Sequence, residues 1–370
     1  MKNIPLLAKF LVAIILVNSD LYGQGCVAIR GMSACSAHPT SADYFKQQNG
    51  KFQISANYRY FRSFRHFRGD VEQKERLEDH TEVINHSNTI DFGLTYQINS
   101  RLFFSAYIPL IHNDRSSLYE HYGNSIGSNP EQKRFHTNSQ GIGDLRLSAN
   151  YWLFHPELAP KFNMTIGGGI KLPSGNPGIN GAFHKLDKEG KEYTITKPVD
   201  QSIQLGDGVV GFFIESQGYQ QMGQKLALYF NGYYLSNPKS HNKVVRNPQA
   251  ITVDPNTGYF SAADQFAGRL GASYNLKGGF SVTLGGRVEG VASSDLIGND
   301  KGFRRPGYVI SAEPGINYFK GKFSASASVP IALYRNRTKS YSDKLDQTGQ
   351  THGDAAFADY LISIGVSRWI

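Results

Sequence analysis

Two cysteines near the start of the chain are its most chemically versatile residues. Cys26 and Cys35 lie nine positions apart, with Met32 between them and His38 just beyond. In an exported protein such a pair most often closes a small disulfide loop, which an oxidising compartment favours. The same four side chains are also soft ligands suited to copper(I) or zinc. The apolar run from Ile4 to Val17 is typical of an export signal and therefore favours the disulfide, and we expect no bound metal and no other cofactor.

A second stretch, His86-Ser87-Asn88, carries the side-chain types of a hydrolase. A serine nucleophile needs a histidine base within hydrogen-bond reach. The flanking residues alternate as in a β-strand, where adjacent side chains point to opposite faces. His86 and Ser87 therefore cannot act together, and His136 and Ser139 lie in a predicted loop without a helpful carboxylate. We predict no catalytic residues and no enzyme.

Charged side chains of mixed sign recur on one parity of the alternating segments. They would lie on the inner wall if the sheet closed on itself. These residues are Arg59, Asp91, Asp144, Arg146, Lys171, Asp207, Glu215, Arg269, Arg287, Glu289, Glu313 and Asp359. They could line a polar conduit and set its selectivity, or pair as salt bridges that fill a narrow interior. Both remain open, and mutual contacts are expected among Arg269, Arg287, Glu289 and Glu313.

The elements that would position these residues are strands with a strict two-residue alternation. Between Phe323 and Tyr334 one parity is entirely apolar, whereas half of the residues on the other are serine. The segment from Ile90 to Ile98 repeats this division, and a helix would not hold a period of two so long. The pattern predicts twelve strands, near 51–62, 85–98, 101–111, 141–154, 161–172, 203–217, 224–236, 263–276, 279–291, 307–319, 322–334 and 355–370.

Long and short connections alternate between the predicted strands. Asn99-Ser100 and Lys277-Gly278 are short, whereas 112–140 and 173–202 are long. Outer-membrane barrels have long loops outside and short turns in the periplasm. The predicted fold class is all-β, a transmembrane antiparallel β-barrel of about 12 strands with a short N-terminal periplasmic or plug segment.

The apolar run from Ile4 to Val17 follows a positively charged start and precedes a polar stretch. It is too short to span a bilayer as a helix and is typical of a cleaved signal peptide. The chain therefore divides into a signal peptide at 1–23, an N-terminal segment with the Cys pair at 24–50 and a barrel at 51–370. We expect the protein in the cell outer membrane of a Gram-negative bacterium.

Three stretches serve as further landmarks. They are Gly141-Ile-Gly-Asp-Leu-Arg-Leu-Ser-Ala-Asn-Tyr-Trp152, Gly167-Gly-Gly-Ile-Lys-Leu-Pro-Ser-Gly175 and Leu205-Gly-Asp-Gly208. In that order they resemble an outer-membrane transporter family named after the meta-cleavage pathway of phenol degradation. The resemblance implies a barrel of about twelve strands that passes small, often hydrophobic or aromatic, compounds.

The last predicted strand ends in Trp369-Ile370 and resembles the signal read by the barrel-assembly machinery. The net charge is +9, and the basic loops would meet anionic lipopolysaccharide. We expect outer-membrane lipid, lipopolysaccharide, a small-molecule solute and the assembly machinery as partners, and no nucleic acid. Two functions follow: a channel or transporter for passive passage of small compounds, or a non-conducting structural or partner-binding barrel.

Overall fold

The computed structural model describes residues 51–248 and 256–370. Twelve antiparallel strands form its main sheet, and each pairs with its neighbours in the chain. The strands β1 to β12 run Lys51–Arg68, Ile84–Gln97, Leu102–Ser117, Phe135–Ile142 continued by Leu145–Trp152, Phe162–Leu172, Gly211–Gln221, Leu226–Ser236, Gln265–Asn275, Phe280–Val291, Gly307–Lys320, Phe323–Ser328 continued by Ile331–Asn336, and Ala355–Trp369. Strand β12 also pairs with β1 along nearly its whole length, so the sheet is a closed barrel. The predicted all-β fold of twelve strands is confirmed.

The two faces of each strand have opposite chemistry, as β2 illustrates. Phe92 and Leu94 are 43% and 46% exposed on the outer wall, whereas Asp91 is 1% exposed inside. Because side chains alternate along a strand, one sequence supplies both an apolar outer wall and a polar interior. This sidedness accounts for the two-residue alternation seen in the sequence.

Several strands differ in length from the prediction, most of all at the end that carries the long loops, although β6 also continues to Gln221, beyond its predicted end near 217 at a short turn. Strand β3 continues to Ser117 and β4 begins at Phe135, so both extend well beyond the predicted span. Strand β6 begins at Gly211, whereas the alternation predicts a start near 203. Residues 199–209 leave the wall and fold inward, as described below.

A register shift in β11 corrects one sidedness prediction. Ile310 lies opposite Tyr334 and Ser311 lies opposite Ala332, so Leu333 is an extra residue in the ladder. Such a bulge reverses the parity of the residues that follow it. Tyr334 consequently faces outward, although strict alternation predicts that it faces inward.

Smaller elements lie at the end of the barrel that carries the long loops. They are the hairpin Asn180–Leu186 and Glu192–Pro198, the strand pair His241–Val245 and Tyr259–Ser261, the short strand Val71–Glu72, and the helical turns Glu75–Glu78, Gln201–Ile203 and Tyr341–Lys344. No helix in these described ranges is long and apolar enough to cross a membrane. The expected signal peptide and the Cys26–Cys35 disulfide lie outside the described residues.

Candidate functional site

The segment 199–209, called here the inner strap, folds into the interior of the barrel. Val199, Ile203 and Leu205 are at most 3% exposed, which is unusual for a connection between strands. The carbonyl oxygen of Ile203 accepts hydrogen bonds from two inward side chains of the wall, Asn113 at 3.2 Å and Ser139. The strap is therefore fastened to β3 and β4 from the inside.

One anchor of the inner strap is Asp144, which lies where β4 is interrupted. Its carboxylate accepts hydrogen bonds from the backbone N–H of Gly175 at 3.0 Å and of Asp207 at 3.1 Å. Lys171 lies 3.9 Å from Asp144 and also pairs with Asp207. A Cβ at Gly206 would come within 2.7 Å of the Gly175 carbonyl oxygen, so only glycine fits there unchanged. The three landmark stretches of the sequence thus meet at one point.

A second anchor holds the opposite end of the inner strap. Asp200 forms a bidentate pair with Arg305 at 2.7 and 2.8 Å and lies 3.6 Å from Arg115. It also caps the turn by accepting a hydrogen bond from the Ser202 N–H at 3.0 Å. Burial raises the pKa of Asp200, but the two guanidinium groups outweigh this effect and hold the pKa well below its usual range. Asp200 is therefore ionised at any physiological pH.

Ion pairs fill the interior of the wall near the strap. Arg59 of β1 lies 2.9 Å from Asp91 of β2, and Arg146 of β4 lies 3.8 Å from the same carboxylate. All three are 6% exposed or less. Tyr233 of β7 lies near enough to Arg146 to interact with it electrostatically. Charges from three strands therefore converge on this level of the lumen, with Tyr233 of a fourth strand beside them.

The four residues expected to be mutual partners do meet on β8, β9 and β10. Arg269 pairs with Glu313 at 2.8 Å, Arg287 pairs with Glu289 at 2.8 Å, and Arg287 lies 3.8 Å from Glu313. Arg59 lies near enough to Arg287 and Glu289 to interact with both electrostatically. The two clusters thus join across the barrel.

Glu215 and Asp359 are the remaining predicted lumen charges. Glu215 is partly buried and accepts a hydrogen bond from Asn150 at 2.7 Å. Asp359 lies at the outer mouth, where its carboxylate is 37% exposed and pairs with Arg65 at 2.8 Å and Arg335 at 2.6 Å. Asp359 therefore lies outside the central network, whereas Glu215 lies near enough to Arg146 to interact with it electrostatically.

A cavity of about 100 Å³ remains between the inner strap and the wall. Its lining includes the polar side chains of Arg146 of the wall and of Gln204 and Asp207 of the strap, together with the aromatic rings of Tyr233 and Phe260. Such a mixed lining suits a small solute with both an apolar body and a polar group.

The side chains that suggested a hydrolase are separated. His86 faces outward, 3.0 Å from the Tyr60 hydroxyl, whereas Ser87 donates inward to Asn113 at 2.7 Å. His136 lies on the outer face beside an aspartate, away from the inward Ser139. Among the residues that the structure describes, no group of three or more His, Cys, Asp or Glu is placed to hold a metal ion.

Sequence reasoning missed the Asp200 anchor and its partners. Arg115 was assigned to a loop because the alternation weakens after residue 111, and Arg305 precedes a strand without any motif of its own. Their partner lies 105 positions away in the case of Arg305. Only the charge of the three residues hinted at a role.

A closed antiparallel barrel with an apolar outer wall and a charged interior defines the class of this protein: it is an outer-membrane β-barrel. Among solved structures it is similar to an outer-membrane channel from Pseudomonas putida F1, with a TM-score of 0.53 and 14% identity over 89% of this chain and 98% of that one. This likeness shows the fold.

Two further structures superpose more loosely and add no argument. The CymD monoaromatic hydrocarbon channel has a TM-score of 0.44 and 12% identity, over 94% of this chain and 98% of that one. The P. putida toluene transporter TodX has a TM-score of 0.41 and 9% identity, over 95% and 99%. No family model and no curated protein matches the sequence.

Proposed function

We propose that this protein is a channel for the passive passage of small compounds across the outer membrane, hydrophobic or aromatic compounds among them. The cavity between the inner strap and the wall carries this proposal, because it offers a solute both polar and aromatic side chains within the lumen. The fold shared with an outer-membrane channel supports the same class of function. The resemblance to the meta-cleavage transporter family supports the solute class.

In this proposal the ion-paired wall sets selectivity and the inner strap limits passage. Arg59, Asp91, Asp144, Arg146, Lys171, Glu215, Arg269, Arg287, Glu289 and Glu313 supply five positive and five negative charges. Because the charges balance, they create a transverse field without a strong net potential. The wall then favours neutral or dipolar solutes over simple ions.

A non-conducting barrel is the second candidate, and the burial of the same wall favours it. Nine of the ten wall charges are between 1% and 8% exposed. A narrow barrel filled by paired side chains could be stable without ever opening. The long loops or the segment 24–50 would then bind a partner.

Current recording in a planar bilayer distinguishes these two candidates. The mature chain, 24–370, should give discrete steps, and a small aromatic solute should block them transiently while a sugar of similar size should not. Steps that appear only when 24–50 is removed would make that segment a plug. If neither chain gives current steps while circular dichroism confirms the β-fold, the result would support the non-conducting barrel.

A further inference from the structure

The end of the barrel that carries the short turns is strongly basic. Eight cations lie on the turns or at the strand ends beside them: Lys51, Arg101, Lys161, Lys225, Lys277, Lys320, Lys322 and Arg368. In the turns 98–101, 153–161, 222–225, 276–279 and 321–322, the only acidic side chain is Glu157. This ring of cations is called the basic rim. In an outer-membrane barrel it faces the periplasm.

Most of the basic rim has no ion-pair partner among the residues that the structure describes. Lys161, Lys225, Lys277, Lys320, Lys322 and Arg368 are exposed. Within 51–248 and 256–370 none of these six forms an ion pair, whereas buried arginines of the loop end do. Unpaired cations of this density are unfavourable unless a counter-charge approaches them.

Aromatic side chains on the outer wall lie directly beside the basic rim. Phe52 packs on Tyr96 with ring centroids 4.6 Å apart, and Phe280 packs on Tyr318 at 4.7 Å. The guanidinium group of Arg101 lies 4.3 Å from the centroid of the Tyr151 ring. Aromatic girdles of this kind lie at the level of lipid headgroups. The cations therefore lie at the depth of the headgroup phosphates.

The distribution of the cations indicates which partner they meet. Every short turn carries at least one, so they encircle the barrel instead of forming one patch. A soluble protein docked on one side would reach few of them, whereas lipid surrounds the whole circumference. We propose that the basic rim binds the phosphates of anionic phospholipids, such as phosphatidylglycerol, in the inner leaflet of the outer membrane. This surface acts independently of the proposed transport function.

The selectivity of boundary lipid, measured by electron spin resonance, tests this proposal. The purified full chain is reconstituted into phosphatidylcholine vesicles that contain spin-labelled phosphatidylglycerol or spin-labelled phosphatidylcholine. The rim variant carries Lys225→Gln, Lys277→Gln, Lys320→Gln and Lys322→Gln. A matched control removes four exposed lysines of the long loops by Lys188→Gln, Lys191→Gln, Lys239→Gln and Lys344→Gln.

The unmodified chain and the loop control should both prefer phosphatidylglycerol by about two- to five-fold, since each cation near an anionic surface is attracted to it. The rim variant should lose most of this preference, as should the unmodified chain at high salt. Equal preference in the rim variant and the unmodified chain would overturn the proposal. So would rim-dependent binding of soluble poly-glutamate without lipid preference, which would assign the rim to an acidic periplasmic partner.

Discussion

Glu313 is the acidic side chain on which two buried guanidinium groups converge. It pairs with Arg269 at 2.8 Å, lies 3.8 Å from Arg287 and is 2% exposed. Removing one member of a buried ion pair leaves an uncompensated charge, which costs about 3–5 kcal/mol. Glu313→Gln should therefore lower the free energy of unfolding by that amount in urea titrations of the refolded barrel.

The matched control is Ser328→Ala, which removes only the 2.9 Å hydrogen bond from the Ser328 hydroxyl to Glu313. A neutral hydrogen bond contributes about 1 kcal/mol, and one to a charged acceptor contributes about 1.5–3 kcal/mol. A Glu313→Gln chain no less stable than the Ser328→Ala chain would mean that the network relaxes or contains water.

His121 predicts a pH dependence in the outer loops. Its ring lies between Phe135 and Phe183, with centroids 5.2 and 5.4 Å away, and its Nδ1 accepts a 3.1 Å hydrogen bond from the His184 N–H. Burial lowers the pKa of His121 from 6.5 to about 4. The unfolded loop thus takes up a proton that the folded loop does not, so its stability falls as the pH drops from 6.5 towards 4.

Amide exchange of the hairpin that contains His184, corrected for intrinsic rates, should therefore show weaker protection at pH 5 than at pH 7. In His121→Phe the ring stacking is kept and the titratable group is lost. The protection in that variant should not change between these pH values. An equal loss of protection in both chains would assign the pH dependence to another group.

The inner strap is the element on which the account of the lumen depends. Gly206 lies against the wall where a Cβ would come within 2.3 Å of an Asp144 carboxylate oxygen. Gly206→Ala should displace the strap and speed amide exchange across 199–209. Gly286→Ala is the control, because a Cβ there meets nothing within 4 Å. Unchanged amide exchange rates in Gly206→Ala would show that the Asp144 side chain moves aside without displacing the strap.

At this scale the sequence predicts strands better than it predicts the strap. The two-residue alternation reveals every barrel strand in the sequence, because one side of the wall faces lipid and the other faces a polar interior. The prediction failed at 203–210, where Ile203 and Leu205 alternate with polar residues as a strand would. The inward path is fixed by Asp144 and Asp200, whose partners are distant in the chain. The Leu205-Gly-Asp-Gly208 motif was visible, but its contact with Gly175 was not.

For the whole molecule, the balance of the wall charges predicts weak selectivity between ions. The ten wall charges comprise five positive and five negative side chains, so neither K⁺ nor Cl⁻ is strongly favoured. In a KCl gradient the reversal potential should lie near zero. Glu289→Gln should shift it towards anion selectivity, since one negative charge is removed. A strongly ion-selective unmodified channel would contradict the proposed role of the wall.

The closed barrel was predictable from the sequence because strand count, turn length and sidedness all agree. The network of charges across the lumen was not predictable from the sequence, because Arg59 approaches Arg287 only after the sheet closes. The inward parity of both residues follows from the sequence, whereas their proximity depends on barrel diameter. Which charges meet across a lumen is therefore a property of the whole molecule.

The most direct test compares single-channel currents of the unmodified chain with those of Asp200→Asn and a control, Asp346→Asn. Asp200→Asn removes the charge that pairs with Arg115 and Arg305, whereas Asp346 bonds only within its own exposed turn. We expect discrete steps from all three chains and a higher open probability in Asp200→Asn alone. If all three chains fold but give no current steps, the result would contradict the channel. Equal open probabilities in the three chains would contradict the proposal that the inner strap limits opening.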